Sequence, residues 1–224
     1  YTNENATQTI SASGELTAST VQSYYTEGDN IRVLKIAEGV TKIADNAFAS
    51  NGGAYAKIIL PSTLKEIGDN AFSGCEHLIE MEIPEGVTSI GDSAFYRCYS
   101  LKEINLPDSV KTVGDSAFYG CSAVEKLKLD NSLESIGDNS FANLVALSEL
   151  VLPKTLKRIG NSAFSGLENL SSVTLPVNVE WLGAYAFFGC DLASVYTEAT
   201  KPSENWHGRW NASYRPVVWG VTLS

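Results

Sequence analysis

Residues 78–95 read LIEMEIPEGVTSIGDSAF, and this stretch decides the fold because close copies of it fill most of the chain. Its phenylalanine recurs after 24 residues once and then at five successive intervals of 23, at Phe48, Phe72, Phe95, Phe118, Phe141, Phe164 and Phe187. Apolar columns that begin at Leu34, Ile36 and Ile43 keep the same register. Several apolar columns at one such period indicate a solenoid of stacked coils.

The order of residues inside one unit predicts its local structure. Met81 and Ile83 alternate with polar residues, which is typical of a strand with one buried face. Pro84 ends that strand because proline has no N–H for the ladder. Asp92 stands just before Ser-Ala-Phe, where it predicts the N-cap of a short helical turn. Asp45 holds this place in the first unit, whereas Ala184 breaks the pattern in the last.

A unit of this size cannot bury its apolar side chains alone, so the coils must stack on one another. We therefore expect an α/β repeat solenoid of about seven 23-residue coils with end caps. Its strands form a parallel ladder, and seven or eight of them at ~4.8 Å spacing give a length of roughly 35 Å.

The repeated frame resembles the BspA-like branch of the leucine-rich repeat family. The residues that carry the resemblance are 83–95, IPEGVTSIGDSAF, with close copies over residues 31–197. The resemblance implies an exported bacterial protein, found outside the cell or on its surface after signal-peptide removal. It also implies no catalytic residues and no cofactor, and it leaves the ligand open.

The two ends depart from the repeat and are predicted to be caps. Residues 1–30 are rich in Ser, Thr and Asn, and residues 198–224 hold three of the four tryptophans. Large aromatic side chains can cover the apolar cross-section of a terminal coil. The sequence thus predicts one continuous domain, with an N-terminal cap at 1–30, the solenoid at 31–197 and an aromatic cap at 198–224.

Composition excludes some partners. The net charge of −10 argues against nucleic acid and anionic membranes, whose recognition relies on Lys and Arg. The apolar runs are too short for a transmembrane segment. The partner expected is therefore a protein or a glycan.

The cysteines share one repeat position, which leucine holds in two other copies. A position that accepts leucine is apolar and buried, so we expect reduced, inaccessible thiols. A disulfide between neighbouring coils stays an alternative, whereas a linear stack does not converge as zinc requires. The cysteines are Cys75, Cys98, Cys121 and Cys190.

No motif for catalysis or metal binding stands out. One Asp per coil does not supply the six to eight oxygens that calcium prefers, so the Asp column is interpreted as capping. Neither His77 nor His207 lies in a recognisable nucleophile motif. A pair of carboxylates acting on polysaccharide is a remote alternative, since exposed acids lack the burial that tunes their pKa.

The outward strand face is the surface that the repeat leaves free to vary, and it is the candidate binding face. Its central residues are Glu80, Glu82, Glu103, Asn105, Lys126 and Lys128. A competing site, suited to stacking against sugar rings, is the aromatic cap with Trp206, Trp210 and Tyr214. The sequence therefore favours a non-catalytic module for adhesion or recognition, with a passive surface spacer as the alternative.

Overall fold

The computed structural model describes residues 7–24, 32–49, 55–211 and 216–221. Sixteen short strands and one α-helix occur in these ranges. They are β1 (Thr7–Ile10), β2 (Gly14–Leu16), α1 (Ala18–Tyr24), β3 (Val33–Ile36), β4 (Val40–Ile43), β5 (Lys57–Ile59), β6 (Glu66–Ile67), β7 (Ser89–Ile90), β8 (Glu103–Leu106), β9 (Thr112–Val113), β10 (Lys126–Leu129), β11 (Ser135–Ile136), β12 (Arg158–Ile159), β13 (Ser172–Leu175), β14 (Trp181–Leu182), β15 (Ser194–Thr197) and β16 (Val217–Trp219).

Strand pairing is continuous along the second strand of each coil. Eight of these strands form one parallel sheet in the order β14-β12-β11-β9-β7-β6-β4-β2. Each coil stays in register with the next, as in the pairing of Ile90 with Val113. The sequence placed no strand here, although the buried column that begins at Ile43 runs along it. This sheet connects the coils of the solenoid from β2 to β14 without a break.

The predicted strands, which come first in each coil, also pair in parallel but form three separate sheets. Their orders are β1-β3-β5, β8-β10 and β13-β15-β16. Between these sheets the coils at residues 79–83 and 149–152 contribute only the isolated bridges Lys57↔Glu80 and Leu150↔Val173. The predicted ladder is therefore present but interrupted twice.

The solenoid has about nine turns rather than the predicted seven. The additional turns come from the ends, where β1 and β2 pair with β3 and β4, and β16 pairs with β15. Counting phenylalanines missed them because these terminal segments form strands without the complete motif. The predicted boundaries at residues 30 and 197 stay predictions, and both ends add strands to the same stack.

The segments that carry the phenylalanines are tight turns rather than helices. The residue after each Asp position adopts a left-handed backbone with φ of 52–59°, which interrupts a right-handed helix. The turn N–H groups instead bond the next coil, as when Phe95 N–H donates to Ala117 O at 2.7 Å. Among the described residues the only α-helix is α1.

The Asp column links coils rather than capping helical turns, which corrects the sequence interpretation. Asp69 Oδ1 accepts the N–H of Asp92 at 2.8 Å, and Asp92 Oδ1 accepts the N–H of Asp115 at 2.7 Å. An Asp that precedes a turn with a left-handed second residue has no helical N–H groups to accept. The carboxylate therefore reaches the equivalent residue one coil later.

The phenylalanines lie buried in the core, as the repeat predicts, and their rings form one stack along it. All seven are at most 1% exposed. Consecutive ring centroids lie 4.9–5.5 Å apart with interplanar angles of 2–12°. Offset stacking of this kind adds to the free energy gained by burial.

No disulfide joins the four cysteines, all of which lie in the described ranges and are fully buried, which confirms the interpretation of their shared position as apolar. Each thiol donates to the carbonyl of a phenylalanine in the preceding coil, as Cys121 does to Phe95 O at 3.2 Å. Hydrogen bonding with the Cys121 thiol and burial raise the pKa of Cys98 well above its usual value. The thiols are therefore part of the apolar core.

Candidate binding surface

The six residues of the predicted binding face are exposed side chains on neighbouring coils. The pairing of β8 with β10 sets Glu103 beside Lys126 and Asn105 beside Lys128. Glu80 bridges to Lys57 on the preceding coil. Side chains separated by a whole repeat in sequence therefore form one surface, which we call the strand face: residues 57–59, 79–83, 102–105 and 126–128.

Charged side chains of the strand face neutralise one another in part. Lys57 Nζ lies 2.8 Å from Glu80 Oε2, and this hydrogen bond and charge raise the pKa of Lys57. Asn105 Nδ2 donates to Glu103 Oε1 at 3.1 Å. Lys128 is paired with Asp130, the residue just after β10, at 3.0 Å. Exposed pairs of this kind add little stability and break readily when a partner offers a better contact.

A groove opens in the strand face where the ladder is interrupted. Ile79 N–H bonds Ala56 O at 2.8 Å on one side, and Lys102 N–H bonds Ile79 O at 3.2 Å on the other. Among the described residues no further backbone hydrogen bond joins residues 80–83 to β8. The two backbones are thus free to diverge beyond Ile79.

The floor of this groove is apolar. Met81 in its lining is only partly buried, whereas Ile58 and Ile104, in the same column, are at most 2% exposed. Ile83, which is also partly buried, lines the neighbouring groove described next. The groove has a volume of about 300 Å³. Its lining is Lys57, Ile79, Glu80, Met81, Glu82, Lys102, Glu103 and Asn105. Four of the six predicted face residues therefore line one cavity.

A second groove of about 540 Å³ continues from the first and shares Lys57 and Glu82 with it. It adds the carboxylates Glu38 and Glu85 to the lining. Among the described residues, five glutamates and two lysines line the two grooves together. Hydrogen bonds from the backbone and hydroxyl of Ser62 lower the pKa of Glu38, so that this carboxylate stays ionised. The surface therefore has a net negative charge over an apolar floor.

Comparison with known proteins identifies the repeat. The pattern described as the BspA type leucine rich repeat region matches in six copies, over residues 3–121, 41–164 and 88–203. The chain belongs to the BspA type leucine-rich repeat family.

Solved structures of leucine-rich repeat proteins are similar to this chain. One from Bacteroides ovatus is 31% identical, with a TM-score of 0.65 over 85% of this chain and 55% of that one. The chain thus spans about half the length of that relative. One from Treponema pallidum is 26% identical, with a TM-score of 0.49 over 84% of this chain and 72% of that one. A search of curated proteins gives no match.

Two tryptophans of the C-terminal end are packed inward. Trp206 and Trp210 are each 8% exposed and lie edge to face with centroids 5.5 Å apart. Trp206 Nε1 donates to Val179 O at 2.9 Å, which fixes the indole against the core. Tyr214 lies outside the described residues. These two indoles cover the last coils of the BspA-type repeat, and their faces are taken up by the core rather than offered to a sugar.

The described parts of the chain show no site for metal binding or for catalysis by histidine. No group of three or more His, Cys, Asp or Glu is arranged there to hold a metal ion. His77 and His207 are exposed, and His207 Nδ1 accepts the N–H of Arg209 at 3.1 Å. No described helix is long and apolar enough to span a membrane.

The groove is the feature that sequence reasoning missed. The repeat places strand residues in equivalent positions, so it predicts an unbroken face. The available signal was Met81, the only methionine in the chain, in a column otherwise made of Leu, Ile and Val. Methionine packs adaptably and is common at binding surfaces.

Proposed function

We propose that this chain is a non-catalytic interaction module, secreted or displayed on a bacterial surface, that binds a basic segment of a partner protein in the grooves of the strand face. The observation that carries the proposal is an acidic rim above the partly exposed Met81 and Ile83. Membership of a family of repeat proteins that are generally non-enzymatic supports a binding role. The surface location rests on the resemblance to BspA-like proteins.

Charge and shape favour a basic protein segment over a neutral glycan. Glutamates around Lys57 and Lys102 provide acceptors that attract Lys or Arg side chains and speed the encounter. Apolar contact with Met81 and Ile83 adds the desolvated centre that protein interfaces need. A glycan would instead require an open aromatic face, and none of the described residues that line the two grooves is aromatic.

A passive spacer is the second candidate. It is favoured by the mutual pairing of exposed charges such as Lys102 with Glu125, 3.2 Å apart, which a surface with no ligand would also show. A spacer needs length and stability but no particular surface chemistry. Its surface variants would therefore behave alike in any binding assay.

The test measures binding to an array of short synthetic peptides rich in Lys and Arg, with neutral oligosaccharides alongside. The double variant Glu82→Lys/Glu103→Lys reverses charge in the groove, and Glu168→Lys makes the same change at an exposed site elsewhere. We expect the double variant to lose about tenfold or more in affinity for the best peptides, and binding to weaken as salt rises. Glu168→Lys should bind as the parent chain does.

Four outcomes would overturn the assignment. Equal binding by Glu82→Lys/Glu103→Lys and Glu168→Lys would show that the strand face is not the binding site. Binding of oligosaccharides alone would replace the protein partner. Loss of binding in Trp210→Ala but not in Glu82→Lys/Glu103→Lys, with both folded, would move the site to the C-terminal end. Binding of no probe at all would favour the spacer.

A further inference from the structure

A second distinctive surface lies on the turn side of the coil, just after two stacked phenylalanines. Tyr96 and Tyr119 stack with centroids 5.2 Å apart and planes 12° from parallel. The guanidinium carbon of Arg97 lies over the Tyr96 ring at 5.0 Å. Tyr99, in the same turn, is 40% exposed. We call Tyr96, Arg97, Tyr99 and Tyr119 the tyrosine–arginine patch.

Other coils show that the fold does not require these residues. At the repeat position of Tyr96 and Tyr119, four of the five remaining units carry a small residue. At the repeat position of Arg97, four of the six other units carry glycine. The small residues are Ala49, Ser73, Ala142 and Ser165, and the glycines are Gly74, Gly120, Gly166 and Gly189. A turn of Gly and Ser would thus complete this coil.

Arg97 also adopts a backbone conformation that suits glycine better. Its φ is +57°, close to the +72° of Gly120 at the equivalent position. A side chain is disfavoured in this left-handed region. Residues kept in an unfavourable backbone conformation cluster at functional sites, where the side chain has a use that offsets the strain.

The guanidinium of Arg97 is available to a partner. Within the described residues it forms no ion pair and no side-chain hydrogen bond, although six ion pairs occur elsewhere in those ranges. Gly120 lies beside it on the next coil, where an added Cβ would be in ordinary van der Waals contact with Arg97 Cγ at 3.6 Å and Tyr99 Cε1 at 4.0 Å. The planar donor set of Arg matches a carboxylate in two-point hydrogen bonding.

We propose that the tyrosine–arginine patch docks an acidic segment of a partner protein, with an Asp or Glu carboxylate on Arg97 and apolar contact on Tyr99. Tyr and Arg are two of the residue types that most often contribute the bulk of the binding energy at protein interfaces. Sugar stacking fits less well, because Tyr96 and Tyr119 already stack on each other and Arg97 lies over Tyr96. This docking surface is independent of the strand face.

Arg97→Gly is the decisive variant, since it installs the residue that four other coils carry. Tyr99→Ser likewise installs the residue of the next coil, Ser122. Both variants should melt at or above the temperature of the parent chain, because they relieve strain or remove exposed apolar surface. A loss of binding would then report on the side chain and not on folding.

The probes are short synthetic peptides containing Asp or Glu, each compared by fluorescence anisotropy with its Asn or Gln counterpart. We expect acidic peptides to bind, and affinity to fall about tenfold or more for the amide counterpart and for Arg97→Gly. Lys201→Glu, at an exposed site outside both proposed surfaces, should not change it. Binding of no acidic peptide, equal binding of acid and amide forms, or unchanged binding by Arg97→Gly would overturn the proposal. Binding of oligogalacturonate in place of peptides would assign the patch to an acidic glycan instead.

Discussion

Oδ1 of Asp92 lies 2.7 Å from the backbone nitrogen of Asp115 and accepts its hydrogen bond, one full coil further along the chain. The same bond recurs from Asp45 to Asp69 and at every later step as far as Ala184, whose N–H bonds Oδ1 of Asn161 at 2.8 Å. The column is a one-way chain of contacts, in which each coil holds the backbone of the next.

Removing one link should therefore weaken the stack. We expect Asp92→Ala to lower the free energy of unfolding by about 0.5–1.5 kcal/mol, since one side-chain hydrogen bond to the backbone is lost. Asp92→Asn should cost much less, because Asn161 makes the same contact. Urea titration measures both. If the two variants lost equal stability, the amide oxygen would not substitute for the carboxylate.

Gly114 leaves the room that this contact needs. A Cβ on Gly114 would lie 2.5 Å from Asp92 Oδ1 and 2.7 Å from Asp92 N. Gly114→Ala should cost about 1–3 kcal/mol of stability through overpacking. Gly208→Ala is the matched control, since nothing lies within 4 Å of its added Cβ. A similar small effect for both would show that the coils move apart at little cost.

Of the changes considered, truncation in the phenylalanine stack should lower the free energy of unfolding most. Phe118 is 1% exposed and has a stacked ring on each side, Phe95 at 4.9 Å and Phe141 at 5.4 Å. We expect Phe118→Ala to destabilise the chain by roughly 3–5 kcal/mol through lost burial and a cavity. Val151→Ala, at a side chain 77% exposed, should cost less than about 0.5 kcal/mol. A loss below about 1 kcal/mol for Phe118→Ala would contradict the role of the stack.

The sequence could predict the stack because its regularity follows directly from the repeat. The same regularity hid the exceptions. A repeat pattern that is the same in every coil gives no reason for the strand pairing to be interrupted at Glu80. The groove lies at that interruption. Left-handed residues such as Ser93 were also invisible, because Ser and Asn are common in both helical turns and tight turns. The alternation of apolar and polar residues along the strands was enough to predict that the six face residues are exposed. The ion pairs and hydrogen bonds of their side chains could not be predicted, because they depend on how far each side chain reaches toward its neighbours.

Thiol chemistry should be blocked in the native chain. All four cysteines are fully buried, and the pKa of Cys98 is raised, which disfavours the reactive thiolate. Labelling with a thiol reagent at neutral pH should be slow in native protein and complete for four groups after unfolding in denaturant. Fast native labelling would contradict the burial, and incomplete labelling of unfolded, unreduced protein would reveal a disulfide.

Acid should weaken the contact between the coils of Glu38 and Ser62. Hydrogen bonds from Ser62 and Thr63 lower the pKa of Glu38 below its ordinary 4.5, so the folded state favours the ionised form. The resulting stabilisation is present above pH 4.5 and is lost as the pH falls through the lowered pKa. Glu38→Gln should therefore lose stability near neutral pH, and its stability should decline less steeply than that of the parent chain as the pH falls below 4.5. Identical acid profiles for Glu38→Gln and the parent chain would exclude this contribution.

The one-way chain of Asp contacts also bears on how such a chain can change in length. Each carboxylate needs only an N–H at the equivalent place of the following coil, and from Asp69 to Ala184 these partners are 23 residues apart. Excision or duplication of one whole unit would leave every remaining carboxylate with an equivalent partner. The first step shows that one extra residue inside a coil is also tolerated, because Asp45 and Asp69 are 24 residues apart and keep the contact. The hydrogen-bond pattern thus permits growth and shrinkage in whole coils, and the position of each surface along the axis can change without rebuilding the core.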